Sequence, residues 1–147
     1  MPAVAPLYPM RAVDLAHRIT SGDRSLAIID VRDGDYIGGH IRGSLHYGYS
    51  TFTAMLPELL RRLQNVHTVV FHCALSQQRG PNAAYMYLRE VATQQARGRA
   101  GVAPLVPQTV YLLEGGFSNW QMMYGREPTL TEGYRPELWR GSWGGYS

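Results

Sequence analysis

Apolar positions recur along this chain with two different periods, and the alternation between them predicts its architecture. Residues 11–19 place Ala12, Leu15, Ala16 and Ile19 three and four apart, the stripe of an amphipathic helix. A Ser21-Gly22-Asp23 turn follows, and Leu26-Ala27-Ile28-Ile29 then reads as a buried strand ending at Asp30. Residues 32–49 are rich in glycine and predict irregular backbone, with a short strand over 44–47. Pro57 opens a predicted helix running to Leu63, and Thr68-Val69-Val70-Phe71 is a second buried strand. A long helix over 83–96 is marked by Ala84, Tyr87, Leu88 and Val91. A Gly/Pro-rich loop over 98–108 leads to a third strand, 109–113, and then to a last helix, 117–124, with Trp120 in the core. Helices alternating with apolar strands predict an α/β fold, a single domain with a central parallel sheet and helices on both faces.

Length and composition narrow the function classes. With 147 residues, 45% hydrophobic and 17% charged, the chain suits one soluble globular domain. Residues 1–124 would form it, and 125–147 would be an aromatic, Gly/Pro-containing tail, with Tyr134, Trp139, Trp143 and Tyr146, packed over its surface. Every basic side chain is arginine, 14 in all, for a net charge of +3. Only Arg61-Arg62 and Arg97 with Arg99 approach clusters, so nucleic-acid binding is not predicted. No run approaches the ~18 apolar residues of a membrane span, and the first residues lack the pattern of a signal peptide. His40, His46 and His72 match no metal-ligand spacing, and no metal is predicted.

The candidate chemistry centres on the one cysteine. Cys73 follows the second buried strand directly, and Gly80-Pro81 opens a helix shortly after it. Main-chain amides in such a strand–loop–helix turn converge with the positive end of a helix dipole, which favours a bound oxyanion and an ionised sulfur together. No acid lies between Cys73 and Arg79 to repel an anion. The planar fork of Arg79 suits two oxygens of phosphate or arsenate, and Ser76 is placed to hydrogen-bond the thiolate. The competing reading is that Cys73 is a small buried hydrophobe. His72, one step along the strand, points to the opposite face, so its expected part is to order the loop through a backbone hydrogen bond rather than to act as base. Among the carboxylates, Asp30 stands first, ahead of Asp33, Asp35 and Glu114, and is expected to pair with an arginine or cap a loop amide, with general-acid action by one of the four as the alternative. Asp33 and Asp35 read as turn residues beside Gly34, and Glu114 stands behind them.

Three segments together carry a family resemblance. They are Asp30-Val31-Arg32 with Tyr36 and Gly38-Gly39-His40-Ile41, then His72-Cys73 through Arg79, then Leu113-Glu114-Gly115-Gly116-Phe117 with Trp120. The chain resembles, over residues 12–124, the rhodanese-fold family that contains the M-phase inducer (dual-specificity) phosphatases and the eukaryotic arsenate reductases. Its Cys73 loop is similar to that of the small single-domain fungal and plant members. The resemblance implies that Cys73 is the nucleophile and Arg79 the oxyanion clamp, with the amides of Ala74, Leu75, Ser76, Gln77 and Gln78 completing the cradle. Five residues separate Cys73 from Arg79, where sulfurtransferases of this fold typically have one fewer, so sulfur transfer is a lesser alternative. The phosphatases carry acids where this chain has Ala74 and Gln78, which removes two candidate proton donors. Some plant relatives bind zinc through additional cysteines that this chain lacks.

The implied function is a cysteine-dependent phosphatase for aryl phosphate or phosphotyrosine, working through a cysteinyl-phosphate and needing no cofactor. The alternative is an arsenate reductase using the same loop. With one cysteine it would draw on glutathione, and on glutaredoxin as partner, for its reducing thiols. A phosphate-binding module without turnover is a further alternative. A usable thiol implies a reducing compartment, cytoplasm or nucleus.

Overall fold

The computed structural model describes residues 3–139; Trp143 and Tyr146 of the tail lie outside them. In chain order the elements are β1 (Leu7–Met10), α1 (Ala12–Thr20), β2 (Leu26–Asp30), β3 (His40–Ile41), β4 (Leu45–His46), α2 (Phe52–Arg62), β5 (Thr68–His72), α3 (Arg79–Ala96), β6 (Thr109–Leu113), α4 (Gly116–Tyr124) and β7 (Thr131–Glu132). Five strands form one parallel sheet in the order β1-β6-β5-β2-β4, and β3 pairs antiparallel with β7.

Alternation along the strands builds two core layers. Ala27, Ile29, Val69, Phe71 and Val110 face α2 and α3, meeting Phe52, Leu59, Leu60, Ala84, Tyr87 and Leu88. Ile28, Val70 and Leu113 face the other way, against Leu15 of α1 and Phe117 and Trp120 of α4. Because successive strand residues point to opposite faces, a continuous apolar run such as Val69-Val70-Phe71 fills both layers at once. Truncating Phe71, which is fully buried between Phe52 and Tyr87, to alanine would cost about 3–5 kcal/mol.

The parallel sheet with helices is the expected architecture, and the departures are local. β1 is an addition to the elements expected from the sequence; among the described residues it pairs with β6 alone, at the sheet edge, where Pro9, which cannot donate, is tolerated. α2 starts at Phe52 rather than at Pro57, which sits inside the helix. An internal proline costs about 3 kcal/mol, and the burial of Phe52, Leu56, Leu59 and Leu60 on one stripe outweighs it. α3 starts at Arg79, one residue before the Gly80-Pro81 start and four before the periodic stretch over 83–96, so its first turn abuts the Cys73 loop. The stretch expected to be irregular carries β3 as well as the short strand β4.

Residues 125–139 return over the sheet end: β7 holds His40 opposite Glu132, and the Trp139 indole donates to the Gly38 carbonyl at 3.0 Å. That ring also lies 5.3 Å from Phe117.

Candidate functional site

The carboxyl ends of β2, β5 and β6 lie side by side in the sheet, and the loops that leave them meet around Cys73. Strand ends of an open parallel sheet are where such folds place their ligands.

β5 delivers Cys73 into full burial, and Ala74 and Ser76 are buried beside it, while Gln77 and Gln78 are exposed. Ser76 takes the left-handed conformation at φ 55°, rare outside glycine, which turns the chain sharply enough to feed it into α3 within a few residues. Backbone that passes through this region forms the concave nests in which amides collect an anion. None of the amides of Ala74, Leu75, Ser76, Gln77 and Gln78 donates to another protein group among the described residues. The Gly80 amide, in the first turn of α3, points at the sulfur and donates to Sγ at 3.3 Å. A Cβ on Gly80 would lie 3.1 Å from Leu112 and 3.5 Å from Sγ, so glycine is what lets the helix start this near. The hydrogen bond expected from Ser76 to the thiolate is not made: its hydroxyl is buried and has no hydrogen-bond partner among the described residues.

The loop is fastened from α4. The Phe117 amide donates to the Cys73 carbonyl and the Ser118 amide to the Ala74 carbonyl, each at 2.9 Å. Gly116 has φ 58°, and a Cβ there would fall 2.6 Å from the Cys73 oxygen and 2.5 Å from the Ala74 oxygen. Gly116 therefore serves the Cys73 loop as well as opening a helix.

His72 is fully buried, and its Nδ1 lies 3.1 Å from the Cys73 carbonyl. A carbonyl only accepts, so Nδ1 carries the proton and the ring orders the loop, as expected. Burial pushes the imidazole below its ordinary value although Asp30 opposes this, and the ring stays neutral. Its Nε2 sits 3.7 Å from Asp30 Oδ2.

Asp30 does both structural tasks expected of it. It receives the Arg32 main-chain amide at 3.1 Å and pairs with the Arg32 guanidinium at 2.7 Å, both side chains being fully buried. Arg32 also donates to the Gly39 carbonyl at 2.9 Å and stacks 4.3 Å from the centre of the Phe117 ring. Burial alone would raise the Asp30 carboxyl; the Arg32 guanidinium and main-chain amide outweigh it and hold the group below the usual range. Glu114 is exposed, and Asp33 accepts the amide and hydroxyl of Ser50 at 3.0 Å each.

Asp35 is the residue that sequence reasoning misplaced. It is 2% exposed, and its two oxygens take both terminal nitrogens of Arg79, at 2.9 and 2.7 Å. It also accepts the Asp33 amide at 3.0 Å, the turn contact the sequence suggested. The one signal for more was its place in the loop after β2, because a partner 44 positions away leaves no local mark.

The rhodanese-like domain family matches residues 12–123. The chain belongs to that family. It is 42% identical over 124 residues to the CDC25-like phosphatase YCH1 of Saccharomyces cerevisiae, covering 77% of each chain. It is 40% identical over 101 residues to arsenate reductase 2.2 of Oryza sativa subsp. japonica, covering 68% of this chain and 72% of the rice protein. Among solved structures, Saccharomyces cerevisiae Ygr203w, described as a homolog of single-domain rhodanese and the Cdc25 phosphatase catalytic domain, superposes with a TM-score of 0.81. Its sequence is 34% identical, and the match covers 97% of this chain and 99% of that one. The rhodanese fold, its relatives among Cdc25-like phosphatases and arsenate reductases, and an enzyme of that type agree with the expectation.

Proposed function

We propose that this chain is a cysteine-dependent phosphatase that acts on aryl phosphates such as phosphotyrosine. The observation that carries it is the Cys73–Arg79 loop: a buried sulfur under the Gly80 amide, five amides without acceptors among the described residues, and a forked cation in the first turn of α3. Cys73 is the nucleophile, the amides of Ala74 through Gln78 receive the non-bridging oxygens, and Arg79 grips two of them.

The thiolate attacks phosphorus, forming the S–P bond as the P–O bond to the leaving group breaks. Water then attacks the cysteinyl-phosphate, releasing inorganic phosphate and restoring the thiolate. Ala74 and Gln78 give the leaving oxygen no proton, and Asp30 is locked against Arg32. An aryl oxide leaves more readily without a proton than an alkoxide, so phosphotyrosine is favoured over phosphoserine. Hydrolysis of p-nitrophenyl phosphate, with a reductant present, tests the reading. Turnover in the wild type that Cys73→Ser abolishes is the expected result, and equal rates in both would reject it.

Arsenate reduction is the second reading, supported by the likeness to the rice reductase and by the single cysteine. The same thiolate displaces an oxygen of arsenate, and glutathione then attacks the sulfur. Arsenite leaves with the electron pair, and a mixed disulfide remains for a second thiol, such as glutaredoxin, to reduce. Arsenate-dependent NADPH oxidation, coupled through glutathione and its reductase with glutaredoxin present, is the matching assay. The thiol requires the reducing conditions of cytoplasm or nucleus under either reading. Among the described residues no helix is long and apolar enough to cross a membrane.

A further inference from the structure

Arg79 holds Asp35 with the geometry it would use for phosphate. Both terminal guanidinium nitrogens face a planar pair of oxygens, at 2.9 and 2.7 Å. The carboxylate is nearly buried, so it cannot be a mere rim contact. We propose that Asp35 is an internal competitor for the oxyanion clamp, and that a substrate oxyanion takes over the Arg79 fork as Asp35 takes up one proton from solvent. The proposal rests on the reading of Arg79 as clamp.

Charge bookkeeping around the pair supports the coupling. Among the described residues, the charged and titratable groups beside it are Cys73 across the loop and, on Asp35's own segment, Asp33 and Arg32. Asp33 is acidic, Cys73 acts as thiolate, and Arg32 is neutralised by the buried Asp30. A dianion entering this setting would put two anions against one guanidinium in a poorly hydrated space, where like charges repel strongly. Burial favours the neutral carboxyl, and the Arg79 pairing now overrides this and keeps Asp35 below its ordinary value. Once the fork turns to the substrate that support is gone, and protonation removes the repulsion. The sign follows: oxyanion affinity rises as pH falls. Protonated Asp35 would also leave a carboxylic acid beside a loop that has none at Ala74 or Gln78.

Sulfate is the probe, because it stays a dianion over about pH 5 to 8 while any titrating protein group does not. Calorimetric titration is run on the Cys73→Ser protein, which removes the thiol proton and turnover, in two buffers of different ionisation enthalpy. The expected result is uptake approaching one proton per sulfate, with affinity rising by up to about tenfold per unit fall in pH. In the Cys73→Ser, Asp35→Asn double variant the uptake disappears, and binding at neutral pH tightens by about tenfold or more. Binding without proton uptake in Cys73→Ser alone overturns the proposal and does not depend on whether the double variant folds. Persistent uptake, or weaker binding, in the double variant overturns it too, the latter making Asp35 a prop for Arg79. Sulfate binding that is absent from the wild type and from Arg79→Ala alike removes the clamp itself, and with it the reading on which the competitor rests.

Discussion

Cys73 reaches its place because β5 is apolar on both faces and ends one residue before it, so the sulfur arrives in the core with the Gly80 amide pointing at it. Arg79 is the cation at that point, and its fork matters more than its charge. Arg79→Lys keeps the charge and loses the two-pronged grip, so kcat/KM for an aryl phosphate should fall by about 100-fold or more, with little change in melting temperature. A fall of less than a few-fold would show that the fork is not used. The buried Asp30–Arg32 pair predicts a different kind of loss. Asp30→Ala leaves Arg32 charged and enclosed, at a cost of about 3–5 kcal/mol, read as a lower urea midpoint. At this scale the sequence was legible wherever chemistry demanded a residue type next to a strand: Cys73, Arg79, and Asp30 bound to an arginine. It was not legible for Asp35, whose partner lies on another element, nor for the Ser76 hydroxyl, whose direction follows from a left-handed backbone that serine seldom adopts.

Three elements hold the loop: β5 brings it, α3 closes it, and α4 clamps its first two carbonyls. Gly116 is the joint, since its positive φ and the oxygens 2.5–2.6 Å from an added Cβ leave no room for a side chain. Gly116→Ala should destabilise the protein by at least about 1–2 kcal/mol and, by pushing α4 from the loop, reduce phosphatase activity more than the lost folded fraction explains. Activity per folded molecule, with folding followed by circular dichroism, checks this; undiminished specific activity would show that the clamp does not shape the loop. The strands β2, β5 and β6 and the helix α1 were legible because burial and periodicity agree in them. Pro57 misled because a proline within α2 is tolerated by tertiary context that propensity does not contain.

Three buried titratable groups, His72, Asp30 and Asp35, affect stability with one sign. Burial holds His72 below its ordinary value of about 6.5, so the unfolded chain takes the proton first and stability falls as pH drops below that value. Asp30 and Asp35 are held below the usual carboxylate range, so their contribution is present above about pH 4 and is lost on further acidification. The melting temperature should therefore decline from pH 7.5 to 5 and more steeply beneath, and His72→Asn should flatten the first part of that decline. A flat wild-type profile over that range would contradict the neutral buried imidazole. The fold class, the paired strand ends and the loop were legible across the chain, while the convergence of three loops from β2, β5 and β6 needed the sheet order to be seen. The proposed function requires one thiolate that becomes phosphorylated. Rapid quenching of the protein with p-nitrophenyl phosphate, followed by mass spectrometry of the peptide that carries Cys73, tests that directly. A phosphoryl group on Cys73 that appears before steady state and is missing in Cys73→Ser is the predicted result; hydrolysis that proceeds with Cys73 unmodified would contradict it.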